Sequence, residues 1–165
     1  MKTLIKILMV FLLVSCTSKP AVPDKPLAFT VKAIRTFPQS YTADFPQYYL
    51  FTHHQQLKDF LEGDGFVISG YENSPQISEL MAKYDEDYFE ANSLALLLVL
   101  ESSGSIRHQI DDVKLQEKTL HVTLIKRVPT TGTTDMANWS IFIELDRVLE
   151  DSIELEVNTT SVQTK

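Results

Sequence analysis

The unbroken apolar run Leu94-Ala95-Leu96-Leu97-Leu98-Val99-Leu100 constrains the fold more than any other stretch of the chain. Successive side chains of a strand point to opposite faces, so a strand with one wet face alternates apolar and polar residues. This run does not alternate. Its length is that of a strand, and it predicts a central position in a sheet that is covered on both sides.

The residues after it read as further strands. Ser102-Ser103-Gly104-Ser105 is a turn, followed by a strand from Ile106 through Val113 and Leu115 and a tight turn at Glu117-Lys118. Leu120, Val122 and Leu124 then alternate with His121, Thr123 and Lys126, which reads as a strand with one wet face for most of its length. The threonine-rich stretch from Pro129 to Asn138 is the longest break in this half. Trp139, Ile141, Ile143 and Leu145 line one face of the next strand, and the apolar phase shifts at Val148. Ile153, Leu155 and Val157 form a last strand, with a frayed tail expected past Thr159.

Helical signals are confined to the N-terminal half. Strands are expected over Val31–Phe37 and Tyr48–Phe51. Thr52-His53-His54-Gln55 has the form of a capping box ahead of Leu57, Phe60 and Leu61, with Gly63 as the stop. Ser74-Pro75 opens a second helix with Ile77, Leu80 and Met81 on one face, and a short helical turn is expected over Asp87–Ala91. The pattern predicts an α+β fold: a mostly antiparallel sheet or small β-sandwich with two short helices in the N-terminal half.

The first residues carry a different message. Lys2 and Lys6, with no acid before Asp24, precede the apolar stretch Ile7–Val14. That stretch falls short of the ~20 residues needed to span a bilayer, so it reads as the core of an export signal. It ends in Leu13-Val14-Ser15-Cys16, and Cys16 is the only cysteine. This tetrapeptide resembles the lipobox of bacterial lipoproteins, which implies lipidation of Cys16 and cleavage just before it. A lone thiol has no disulfide partner within its own chain, and lipid would cap it. Each buried acyl methylene contributes about 0.8 kcal/mol, enough for several chains together to anchor stably. Residues 17–26, with Pro20, Pro23 and Pro26, read as a tether that reaches up to ~30 Å if extended like polyproline. The expected organisation is a signal peptide over 1–15, the lipidated cysteine and tether over 16–26, and one domain over 27–165. The expected location is a cell or outer membrane, with the domain outside the cytoplasm.

Charge narrows the partners. The formal net charge of -7 becomes more negative once Lys2 and Lys6 are removed. An acidic domain gains nothing from releasing phosphate counterions, so nucleic acid is not an expected partner. With Cys16 capped, no thiol nucleophile and no cysteine-based metal site remain, and no cofactor is implied.

Candidate chemistry in the folded part is sparse. His53 and His54, adjacent on a helix, point about 100° apart and are poorly placed to hold one metal ion together. Asp85-Glu86-Asp87 lacks the alternating ligands of a calcium loop and suits an acidic helix start. Asp111 and Asp112, with His108 or His121, form no recognisable hydrolase motif, and no enzymatic activity is expected. Trp139, the only tryptophan, stands beside the Pro129–Asn138 loop. With Ser103, Gly104 and Ser105 it makes the best candidate contact surface, because aromatic anchors dominate binding energy.

The stretch from Tyr88 to Val157 resembles the C-terminal domain of the protease-complex subunit PrcB family of bacterial lipoproteins. The likeness rests on the apolar strand Leu94–Leu100, the turn Ser103-Gly104-Ser105-Ile106 and the strand His108-Gln109-Ile110-Asp111-Asp112-Val113. The loop with Pro129 and the strand opened by Asn138-Trp139 follow in the same order. Of the family's Thr-Gly-Gly-Tyr turn only Gly104 is retained, and His108 stands where an isoleucine is usual. The resemblance implies a non-catalytic accessory lipoprotein that binds an exported protease or another envelope protein. A small-ligand-binding or envelope-homeostasis lipoprotein is the alternative.

Overall fold

The computed structural model describes residues 25–36, 44–63 and 75–164. The signal segment, Cys16 and the tether up to residue 24 lie outside the described residues, as do Phe37 and Ser74. Among the described residues eight strands and three helices follow in chain order: β1 (Lys25–Pro26), β2 (Phe29–Thr36), β3 (Gln47–Phe51), α1 (His54–Glu62), α2 (Pro75–Lys83), α3 (Glu86–Ala91), β4 (Ser93–Glu101), β5 (Arg107–Gln116), β6 (Thr119–Pro129), β7 (Ala137–Leu145) and β8 (Glu154–Thr164).

The strands form two four-stranded sheets, ordered β1-β5-β6-β8 and β2-β7-β4-β3. The fold is α+β and mostly antiparallel, as expected, and the short helical turn expected over Asp87–Ala91 is α3. The β4 run meets the condition set by its sequence. Ala95 and Leu97 face the other sheet, where they join Ile110, Val113, Leu120, Val122, Leu124, Ile141, Ile143 and Leu145 in one buried core. Leu94, Leu96 and Leu98 face the helices and pack with Phe51, Leu57, Ile77, Leu80, Tyr84, Phe89 and Phe142. The domain therefore has three layers: an outer sheet, a central sheet and a helical cover.

β7 is also buried on both faces, although its sequence shows only one apolar face. On the helix side it presents Asn138, Ser140, Phe142 and Glu144. Buried polar groups need partners, and Glu144 has them: it accepts from Tyr84 Oη at 3.0 Å, Lys83 Nζ at 2.6 Å and Thr30 Oγ1 at 3.1 Å. Burial pushes the Glu144 carboxyl up, but the bonds from Lys83 and Tyr84 outweigh it and hold the group below its ordinary value.

Three local expectations are corrected. The capping box does not form as read: α1 begins at His54, and Gln56, not Gln55, reaches back to the Thr52 amide at 2.7 Å. Gln55 instead donates to Asp59 at 2.7 Å. The tail past Thr159 is not frayed. It continues β8, which pairs in parallel with β6 through Pro129↔Thr164. At the other end, Lys25 and Pro26, read as the last of the tether, pair with Leu115 and Lys114 of β5.

Candidate functional site

The inward-facing positions at one end of the sandwich change from apolar to polar. Along β4, Ala95, Leu97 and Val99 are followed in the same phase by Glu101; along β6, Leu120, Val122 and Leu124 are followed by Lys126. His108 is in phase with Ile110 on β5 and lies directly opposite Lys126. The reading that grouped Lys126 with His121 and Thr123 is therefore corrected: a period of two places residue 126 on the core-facing side.

These three side chains meet. The side chains of Glu101 and His108 are 3% and 1% exposed. His108 Nε2 donates to Glu101 Oε1 at 2.9 Å, and the Lys126 ammonium pairs with Glu101 Oε2. A carboxylate can only accept, so Nε2 carries the proton, while Nδ1 is buried without a hydrogen-bond partner. Burial works to raise the Glu101 carboxyl, yet the hydrogen bonds from His108 and Lys126 prevail and hold it below its ordinary value.

Trp139 closes this layer. Its indole packs against the inter-sheet core, edge-on to the His108 ring at 6.0 Å. The Arg107 guanidinium lies 5.3 Å from the Trp139 ring centroid, and its Nη1 donates to the Gly104 carbonyl at 2.6 Å. Arg107 thus joins the two features singled out in the sequence, the Ser103–Ser105 turn and Trp139. Trp139 itself faces inward and is half-buried, and does not project from the loop.

The turn is held by the 130–136 loop. Ser103 Oγ accepts from the Thr133 amide at 2.9 Å and is bonded to Ser105 Oγ at 2.8 Å and Thr133 Oγ1 at 3.1 Å. The Gly104 amide donates to the Asp135 carbonyl at 2.7 Å. A Cβ on Gly104 would meet the Asp135 carboxylate and the Arg35 guanidinium, which are paired to each other. Bonding from the Thr133 side chain, then from Arg35, brings the Asp135 carboxyl down to about 2. Beside this pair Met136 is 51% exposed, the most exposed of the large hydrophobic residues described.

Sequence reasoning thus found the turn and Trp139 but missed Glu101, Arg107, Lys126, Arg35, Asp135 and Met136. Glu101, His108 and Lys126 did leave a signal, three charged or titratable residues in phase with core positions at the ends of three strands. The remaining histidines are dispersed: His53 lies 3.7 Å from Asp151, His54 3.8 Å from Glu86 and His121 3.4 Å from Glu156. Asp85 caps α3 by accepting from the Tyr88 amide at 2.9 Å. Among the described residues no group of three metal-ligating side chains is placed to hold an ion, and no helix is long and apolar enough to cross a membrane.

Comparison of the chain with protein-family models, with curated proteins and with solved structures gives no match.

Proposed function

We propose that the chain is a lipoprotein held at a membrane surface through lipid on Cys16, and that its domain is a non-catalytic module docking an exported protein, such as a protease or another envelope component. The observation that carries this reading is the sole cysteine, set at the end of a short apolar signal in Leu13-Val14-Ser15-Cys16. The resemblance of residues 88–157 to the PrcB family points to the same role. The docking surface is assigned to the end of the sandwich where the Ser103–Ser105 turn, Arg107, the Arg35–Asp135 pair and exposed Met136 come together. The buried Glu101–His108–Lys126 layer beneath them gives this end a rigid floor, which lowers the ordering cost of binding.

In-cell crosslinking of the full chain, with fractionation and mass spectrometry, tests both parts. Cys16→Ser is expected to move the chain out of the membrane fraction; unchanged membrane association would overturn the anchor. One exported protein is expected to crosslink to the wild type and to be lost with Met136→Asp or Arg107→Glu. Capture of no specific protein would overturn the docking role. Trp139→Ala is a poor probe for this purpose, because the indole is part of the inter-sheet packing.

One observation favours the small-ligand alternative. An open cleft of about 420 Å³ lies between β2 and α2, lined by Lys32, Ile34, Gln76, Glu79, Leu80 and Lys83. Ile34 and Leu80 give it an apolar floor that suits a small apolar molecule, and native mass spectrometry of the purified chain would reveal a retained one.

A further inference from the structure

Among the described residues the outer sheet ends in an open edge at β8. β8 has eleven residues, and among the described residues it has β6 on one side and no strand on the other. Among the described residues no strand pairs with the backbone donors and acceptors of its other side, the template on which another strand adds. The other sheet margins are blunted. β3 has only five residues, β1 has two and includes Pro26, and β2 carries Lys32 and Arg35. From Val157 to Thr164, β8 has no charge, proline or glycine, and Asn158 through Gln163 are exposed.

We propose that this edge pairs with β8 of a second copy of the chain, antiparallel, so that two outer sheets join into one across a two-fold axis. Residues opposite each other in an antiparallel pair share a face, and a two-fold perpendicular to the sheet preserves the faces. Paired residue numbers must then sum to an even number, so one residue meets its own counterpart. With Thr160 on the axis, Thr159 meets Ser161, Asn158 meets Val162, Val157 meets Gln163 and Glu156 meets Thr164. Hydroxyl groups face each other at the centre, Thr160 against Thr160 and Thr159 against Ser161, a favourable cross-strand pairing, and no carboxylate opposes another. An axis on Thr159 or Ser161 keeps that property. An axis on Leu155 sets Glu154 against Glu156 and one on Glu156 sets that residue against itself, so charge excludes the N-terminal end of the strand. This self-complementarity is what points to a second copy and not to a foreign strand.

Cysteine scanning in the full chain, purified in detergent, tests the proposal. Thr159→Cys, Thr160→Cys and Ser161→Cys are oxidised separately and run on non-reducing gels beside the wild type, whose Cys16 sets the baseline. One of the three is expected to give a strong dimer band and its neighbours a weak one. A step off the axis separates the two cysteines by a further ~7 Å along the strands, beyond the ~7 Å Cα limit of a disulfide once the inter-strand spacing is added. Native mass spectrometry should show a dimer for the wild type and a monomer for Thr160→Lys, whose fold is checked by Trp139 fluorescence. No dimer above baseline at any of the three positions, a monomeric wild type, or capture of a different protein along β8 would each overturn the proposal.

Discussion

Replacing Lys126 by methionine removes the ammonium that partners Glu101 and keeps the aliphatic bulk of the side chain. Glu101 is left in the sandwich with its carboxylate 3% exposed and only His108 bonded to it. Breaking a fully buried pair in this way costs about 3–5 kcal/mol. The Lys126 side chain is 28% exposed, and water that already screens the pair reduces the expected loss to about 1–3 kcal/mol. The loss should depend on pH. In the wild type the folded-state value of Glu101 lies below its ordinary 4.5, so its share of stability is complete above that pH and disappears as the pH falls through the lowered value. Without Lys126, burial is opposed by His108 alone, the folded value rises, and that share is lost from a higher pH. The gap between variant and wild type should be widest near pH 7 and narrow steadily below 4.5. Urea unfolding followed by fluorescence of Trp139, whose ring centroid lies 6.0 Å from that of His108, reads both quantities. A loss under ~0.5 kcal/mol at pH 7, or a gap unchanged between pH 7 and pH 4, would refute a buried, ion-paired Glu101.

Two further outcomes bear on the layers and on the loop. Leu96→Ala and Leu97→Ala, adjacent in β4 but facing different cores, should each cost about 2–5 kcal/mol in chemical unfolding; a negligible cost at either site would mean that β4 is covered on one face only. Ser103→Ala should destabilise by about 0.5–1.5 kcal/mol, because the Thr133 amide keeps only its longer bond to Ser105 Oγ at 3.3 Å. It should also speed proteolysis within residues 130–136, and unchanged cleavage would show that this hydroxyl does not hold the loop.

Central strand β4 was legible because an unbroken apolar run admits few other settings. β7 was half legible. Trp139, Ile141, Ile143 and Leu145 mark one buried face, while Ser140 and Glu144 disguise the other, and only the approach of Lys83, Tyr84 and Thr30 makes Glu144 tolerable there. The far end of β8 was misread because Thr159 to Thr164 has no apolar period. Its order comes from the parallel ladder to β6, which is tertiary information. At the candidate site the turn residues were visible from their chemistry, but Arg107, which links Gly104 to Trp139, carries no pattern of its own. Lys126 was recoverable by counting alternation strictly.

The position of β7 between β2 and β4 has a consequence for when the domain can form. Thr30 and Glu144 are hydrogen-bonded although 114 residues apart, and among the described residues β2 has no strand neighbour except β7. A chain made from its N-terminus therefore cannot complete the central sheet until nearly all of it has been synthesised. Local hairpins such as β5–β6 can close early, but the assembly of layers waits on a late strand, as in other slow-folding topologies dominated by distant pairings. Under the proposed role as an exported lipoprotein, that delay would keep the chain threadable until its last third has emerged.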